Sequence, residues 1–478
     1  MLTLSFNIKK IMSRRIILSL LLIVLTCGAA GAVTYEEAKD MYRSGDYAGA
    51  LPVFKKRLKD RPKDAALNHW VGVCLMYTGN PGEAIPYLEF AHKKKITEAP
   101  RYLAEIAFMD YRADDAAEYM DAYKEALEKD KKKMSEDVSF LDDKIGKMQA
   151  MLDRVEQIEI IDSVAVDAET FFKFYKLSSE SGSVNSRDVL PADFEAAPLT
   201  TVYMPESKNT MMWAMPDEND NYVLVGSSRL SDGKWEKPHR LGDNLNDGGD
   251  ANYPFLLSDG ITMYFANDGE NSLGGYDIFI SRKDENEFLQ PQNIGMPYNS
   301  PYNDYMFAID EFTGVGWWAT DRGRDDGMVT IYKFIPKEMR ENYSVDEPNL
   351  RNFAKITSYR DTWTEGVDYS DKLAEIEAIG TIKKVKKSDF EFEIPGRGIY
   401  KTWDEFQNPV AREAMEGYLD ARNKQEADKK RLEELRRQYA LGGIDHSDEI
   451  LSLEKNIRIM RDRLIKMSNR VIELELNK

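Results

Sequence analysis

Apolar positions along the chain keep three different rhythms, and each rhythm predicts a different kind of element. Over 35–156 apolar and small residues recur at helical spacing, in "YEEAKDMYRSGDYAGALPVFKKRLKDRP" (35–62) and again in "LNHWVGVCLMYTGNPGEAIPYLEFAHKK" (67–94). Between 210 and 334 apolar and aromatic residues alternate with polar ones. Asp-Gly pairs at 232–233 and 259–260 punctuate this region, as antiparallel hairpins require. From Pro409 onward the chain turns helical and highly charged. There Ile450, Leu453, Ile457, Met460, Leu464, Met467, Val471 and Leu474 follow an unbroken 3-4 spacing. That is an a/d seam.

The first rhythm repeats itself. Gly45 and Gly79 are 34 residues apart, as are Ala50 and Ala84, Ala38 and Gly72, and Phe54 and Leu88. Small residues at such points let two helices approach, large ones fill the groove between pairs, and the glycine ends the first helix. The pattern resembles the tetratricopeptide repeat, carried by Ala38, Gly45, Tyr47, Ala50, Phe54 and Pro62 in the first copy. In the second it is carried by Gly72, Leu75, Gly79, Ala84, Leu88 and Ala91, with Pro81 where the family has an aromatic. A degenerate third copy (102–129) keeps Ala104, Ala116 and Met120. The helix at 135–156 is expected to cap the stack with its polar face outward, completing an α-solenoid over 33–156. The resemblance implies a concave scaffold for peptides or partner proteins, or a prop for the next domain.

The second rhythm repeats at 53 residues. "SDGKWEKPHRLGDNLN" (231–246) aligns with "DENEFLQPQNIGMPYN" (284–299), matching Trp235 to Phe288, Pro238 to Pro291, Gly242 to Gly295 and Asn246 to Asn299. Each is followed by a hairpin block, at 253–269 and 305–323, and by a third strand, at 275–282 and 327–334. An earlier copy reads "TMMWAM" (210–215) with "NYVLVGSSRL" (221–230). The motifs "SDG-ITMYFANDG" and "GGYDIFIS" resemble WD40-like repeats of the TolB (PD40) type, which implies a β-propeller over 157–403. Three copies are clear. Segments 158–182 and 380–403 are the candidates for further blades, giving an expected ring of about five, with an open or partial propeller as the alternative.

The third rhythm predicts a helical hairpin over 404–478, helix 410–440 joined to the last helix by "LGGIDHSDE". The upstream seam is weak around Gln425 and Asp428. The eight-residue seam either closes that hairpin or pairs with another copy, making it the candidate self-association surface. The fold class expected is therefore multidomain, α followed by all-β followed by α.

The first 32 residues differ from the rest. Lys9, Lys10, Arg14 and Arg15 precede the apolar run 16–25, and "AGA" ends at Ala32, the form of a secretory signal peptide. Cys27 raises a lipoprotein reading, which Thr26 weakens by standing where that signal wants Gly, Ala or Ser. Cys74 is then the one other cysteine, a small buried hydrophobe by expectation. The expected location is the periplasm, next to the outer membrane. The formal charge of −18 argues against a nucleic-acid or anionic-membrane binding surface, so any membrane association is expected to be indirect.

Motifs of chemistry are sparse. "GVGWWA" (314–319) lacks the strand-to-helix setting of a dinucleotide site, and "DENDN" (217–221) puts Tyr222 where a calcium loop needs glycine. The four histidines, His69, His92, His239 and His446, have no ligand partner nearby in sequence. The reading assigns no catalytic residue, metal or cofactor, and no enzymatic activity. Trp317 and Trp318 followed by Asp321, Arg322, Arg324 and Asp325 form a candidate partner-binding edge, unless the tryptophans are core residues of a strand.

Helical repeats followed by this propeller type resemble certain Gram-negative envelope proteins, including those of type IX secretion and gliding machinery. In these an OmpA-like domain follows, whereas here a charged hairpin stands in its place. The resemblance implies a non-enzymatic scaffold that binds envelope or secretion proteins. A receptor or carrier for a glycan or peptide, held in the propeller channel, is the other reading.

Overall fold

The structure is a computed structural model that describes residues 33–476, apart from 247, 285–286, 325–326, 365, 379–389, 391, 396, 401 and 441–446. The expected signal peptide (1–32) with Cys27 and the stretch 380–389 lie outside the described residues. Two compact units divide the chain at 379/380.

The first unit opens with seven helices: α1 (Tyr35–Ser44), α2 (Tyr47–Asp60), α3 (Ala65–Tyr77), α4 (Pro81–Lys93), α5 (Ala99–Met109), α6 (Ala113–Lys129) and α7 (Glu136–Leu152). Local chemistry sets their ends. Thr34 and Glu37 form a capping box at α1, and the carboxylates of Asp46 and Asp64 accept N–H groups at the starts of α2 and α3. Gly45 stops α1 at φ 86°. Each helix packs on its neighbours in sequence. The small residues stand where the helices cross: Ala38, Ala50 and Ala84 are fully buried, and a Cβ on Gly72 would lie 2.6 Å from Leu88 Cγ. Gly72→Ala should therefore lower the melting temperature, by about 1–3 kcal/mol of overpacking less about 1 kcal/mol of helix propensity gained. A rise in melting temperature would show that α3 and α4 have room to separate.

Helix α7 does not cap the stack with a free polar face. Its Val138, Ile145 and Met148 are buried in a cluster that includes Leu273 and Met296 of the strand region and Ala354 beyond it. It is a joint between helices and sheets.

The strand region begins with β1 (Glu159–Asp167) and forms three antiparallel sheets among the described residues. The first is β2 (Ser183–Asn185), β3 (Val202–Met204), β4 (Thr210–Pro216), β5 (Tyr222–Ser228) and β6 (His239–Arg240), in that order. The second is β7 (Ala251–Leu256), β8 (Thr262–Asn267) and β9 (Asp277–Asp284), with β10 (Glu287–Phe288) and β11 (Gln292–Asn293) both on β9. The third is β12 (Asp304–Asp310), β13 (Val315–Thr320), β14 (Met328–Ile335) and then β1. The 53-residue spacing is structural, since Ala251 and Asp304 open β7 and β12, and β8 maps onto β13 from end to end. Strands β3, β7 and β12 neighbour one another in sequence order. Apolar clusters fill the space between successive sheets, around Phe265 and Phe279 in one case and Phe307, Trp318 and Phe334 in the other.

A ring of about five blades is not what these residues build. Segment 158–182 does not start a sheet of its own: β1 pairs along β14, Glu159 with Ile335 through Asp167 with Met328. An edge strand presents unpaired backbone groups, and β1 covers those of β14. Its own outer edge is met by side chains. Ile160 N–H donates to Thr362 Oγ1 (2.9 Å) and Trp363 Nε1 donates to Ile160 O (2.7 Å). Residues 350–378, expected to belong to the sheets, instead hold α8 (Leu350–Lys355) and α9 (Ser370–Ala378), with Ile376 buried beside β1 residues.

The second unit holds a two-stranded ribbon, β15 (Phe392–Ile394) with β16 (Gly398–Tyr400), and the long helices α10 (Pro409–Ala440) and α11 (Ser447–Leu476). The expected closing strands are thus this ribbon, packed on the helices through Phe392, Met415, Tyr418 and Val471. The seam of α11 is occupied within the chain by α10, with Leu464 and Val471 buried and Met467 Cε against Gly417. Self-association through it would require opening the hairpin. The weak point at Gln425 has a reason: it is buried and its Nε2 donates to Ile457 O at 3.0 Å.

Candidate functional site

The candidate binding edge of the third sheet is not a surface. Trp317 and Trp318 are both fully buried, one in the interior cluster and the other between the second and third sheets. Successive residues of a strand point to opposite faces, and both faces of β13 are covered. Arg322 is buried too, its guanidinium donating to Asp304 Oδ1 (2.7 Å), Tyr298 O (2.6 Å) and Pro297 O (3.0 Å). Asp321 accepts from Asn303 N (2.8 Å) and Nδ2 (2.6 Å). Arg324 is exposed and donates to Thr330 Oγ1, while Asp325 lies outside the described residues. These side chains tie loops to strands.

The receptor reading expected an open channel. The space among the three sheets is instead packed with aromatic rings. Tyr253 stacks on Tyr305 at 4.6 Å between centroids, and Phe171 meets both edge-on at 5.9 and 5.4 Å. Tyr175 is buried beside them and its hydroxyl donates to Met306 O.

Concavity lies elsewhere, where the helices meet the second sheet. A cleft of about 380 Å³ runs between α5, α7 and the turn 268–270 that follows β8. Its apolar lining is Phe108, Val138 and Leu141, with Phe140 at the rim, 48% exposed. The walls are held rigidly. Lys144 Nζ on α7 donates to Gly274 O (2.5 Å) and Lys147 Nζ to Glu270 O. Lys355 and Arg351 clasp Asp110 at the end of α5, at 2.6 and 3.0 Å. Arg340 bridges Arg154 O and Ile294 O. The double glycine of "GGYDIFIS" has its reason in the same place: a Cβ on Gly274 would collide with the carbonyl oxygens of Tyr302 and Ser300. Strand β9 starts against the next sheet, and only glycine permits that approach.

Five carboxylates border the cleft: Glu105, Asp137, Asp143, Asp268 and Glu270. Arg101, Lys144 and Lys147 are the cations there, and the two lysines spend their ammonium groups on backbone carbonyls. Burial pushes the Glu105 carboxyl above its usual range, although Arg101 opposes the shift. Burial likewise pushes Asp268 up to about 6, against a hydrogen bond from Asp250 N, and it lowers the Lys144 ammonium. Behind the wall, fully buried Asp277 is pushed up to about 7 by burial in spite of donors from Leu273, Gly274 and Asn293.

For Asp268 the folded chain holds a proton that the unfolded chain releases between about pH 4 and about pH 6. Its contribution to stability is therefore largest at low pH and falls as pH rises through that window. Asp268→Asn should flatten this part of the curve, so the stability gap between variant and wild type should change between pH 4 and 6 and stay constant above. Urea unfolding at a series of pH values reads it.

The remaining sequence candidates are structural. "GVGWWA" is strand β13, and "DENDN" is the β4–β5 turn, in which Asp217 accepts from the N–H groups of Asn219 and Asn221. His69 is buried, with its pKa lowered to about 4 by burial, His239 is exposed, and His446 lies outside the described residues. Among the described residues no group of three His, Cys, Asp or Glu side chains is placed to hold a metal ion. The cleft was missed because its walls are 130 residues apart. The signal that was present is the apolar pair Phe140–Leu141 set directly against Asp142, Asp143 and Lys144 on α7, "FLDDK". No protein-family model matches the chain, and no curated protein matches it either.

Proposed function

We propose that this protein is a non-enzymatic scaffold of the cell envelope, and that the cleft between α5, α7 and the 268–270 turn receives a segment of a partner protein. One observation carries the reading: a groove with an apolar floor and five carboxylates at its border, two of which, Glu105 and Asp268, are poorly solvated. A segment with an apolar anchor beside Lys or Arg fits that chemistry, because its cation replaces the water that Glu105 and Asp268 have lost. The tetratricopeptide-like helices and the propeller-like sheets then act as one platform, not as two independent binders. Export through the leader and residence at the inner face of the outer membrane complete the proposal, with secretion components as the partner class.

The test is capture from intact cells by cross-linking and a C-terminal tag, comparing wild type with Phe140→Asp. Phe140 is half exposed, so the variant should fold. Wild type should recover a reproducible set of envelope proteins that the variant loses. Equal recovery by both would move the contact away from the cleft, and recovery of the chain alone would sink the scaffold reading. Affinity for the captured partner should also strengthen as pH rises from 5 to about 7, as Asp268 loses its proton, and Asp268→Asn should remove most of that dependence.

A further inference from the structure

The whole-chain charge conceals a division. Residues 33–379 carry 40 Lys and Arg against 64 Asp and Glu, whereas 380–478 carry 21 against 19. Within the second unit the basic residues gather on α11: Lys455, Arg458, Arg461, Arg463, Lys466 and Arg470 stand against one acid, Asp462, in sixteen residues. All six are exposed. The neighbouring stretch of α10, 412–430, offers no counterweight, having five basic and five acidic residues. Arg470 pairs with Glu473 at 3.5 Å, but Lys455, Arg458, Arg463 and Lys466 have no carboxylate partner among the described residues.

Large aliphatic side chains stand among these cations. Leu451, Ile459 and Ile465 are 63%, 58% and 56% exposed. With roughly 100° between successive residues, Leu451, Arg458 and Ile465 fall on one line, and Lys455, Ile459 and Lys466 lie beside it. The seam that meets α10 is on the opposite side. So α11 has two apolar faces, one filled by α10 and one turned outward, where Asp462 is the single acid among the surrounding cations.

We propose that this outward face of α11 docks on an anionic lipid surface. Protein interfaces exclude lysine from their centres and gather their apolar side chains into one patch. Here the aliphatics are single and separated by Lys and Arg, an arrangement that suits shallow insertion between phosphate headgroups. The proposal is independent of the cleft and of what it binds.

Flotation of the full chain with vesicles tests it. One set is phosphatidylcholine alone, and the other contains about one third phosphatidylglycerol. The chain should float with the anionic vesicles and not with the neutral ones, and raising salt should release it. Each neutralised cation should weaken partition about five-fold, so Lys455→Gln, Arg458→Gln and Lys466→Gln together should cost about 100-fold. Ile459→Ser with Ile465→Ser should also weaken it, with helix content unchanged by circular dichroism. Failure to float, equal binding to both vesicle types, or undiminished binding by the triple variant would each overturn the proposal. So would salt-sensitive self-association in place of lipid binding, which would make the face a protein interface.

Discussion

Arg322→Ala is expected to destabilise the first unit by about 3–5 kcal/mol, a large share of what a domain has to lose. The guanidinium is 6% exposed and its partner Asp304 is fully buried. It donates to Asp304 and to the carbonyls of Pro297 and Tyr298, and Asp304 accepts in addition from Ser300 Oγ. Truncation leaves a buried carboxylate without its counter-charge and two carbonyls without their donor. Arg322→Lys should recover only part of the loss, since one ammonium cannot span three acceptors held by a planar fork. Urea unfolding followed by tryptophan fluorescence reads the effect, because Trp317 and Trp318 sit in the same sheet. If Arg322→Ala were as stable as wild type yet failed to capture partners, the sequence-level reading of this residue as a binding contact would stand after all.

Glu475→Ala should do to the second unit what Arg322→Ala does to the first. The carboxylate of Glu475 has no exposed surface and accepts from Arg397 Nη1 (2.9 Å), Tyr400 OH (3.2 Å), Gln407 N (2.9 Å) and Asn408 N (3.1 Å). One side chain near the end of α11 thereby holds the β15–β16 ribbon and the start of α10 together. Its removal should cost about 3 kcal/mol or more, leaving an unpaired guanidinium and two backbone N–H groups without acceptors. Glu475→Gln should fall between, because its amide nitrogen would face donors. Hydrogen exchange of peptides from 409–476 is the measurement. Protection should drop along both helices together, while peptides from the first unit stay unchanged. A loss confined to the last turn of α11 would mean that the ribbon is not tied to the helices through this residue.

What could be read from the chain was whatever repeats or is local. The 34-residue spacing of Ala50 and Ala84 and the 53-residue spacing of the strands are imprints of packing geometry, and the structure places helices and strands accordingly. Fold class was therefore legible in its coarse form. What could not be read was the choice among distant partners. Nothing in "EIIDSVAVD" says that it will lie on β14, since any exposed edge would accept that pattern. Trp317 and Trp318 carried a clue that favoured core over binding edge. "VGWWA" has no polar residue and does not alternate, and such a run marks a strand covered on both faces. The cleft and the basic face of α11 escaped for opposite reasons. The first is assembled from separate elements, and the second is a local surplus averaged away by a chain-wide charge.

The pairing of β1 with β14 also bears on when this molecule can fold. The outermost strand of the third sheet, β1, leaves the ribosome long before the strands it must join, and it waits for them and for Thr362 and Trp363 later still. Contacts this far apart in sequence form slowly, because a long loop must close before any of them is made. Until then the third sheet that will surround Phe171 stays open along β14. On the export proposed above, such a delay is an asset: a chain that cannot finish folding early is one that can still be threaded across a membrane.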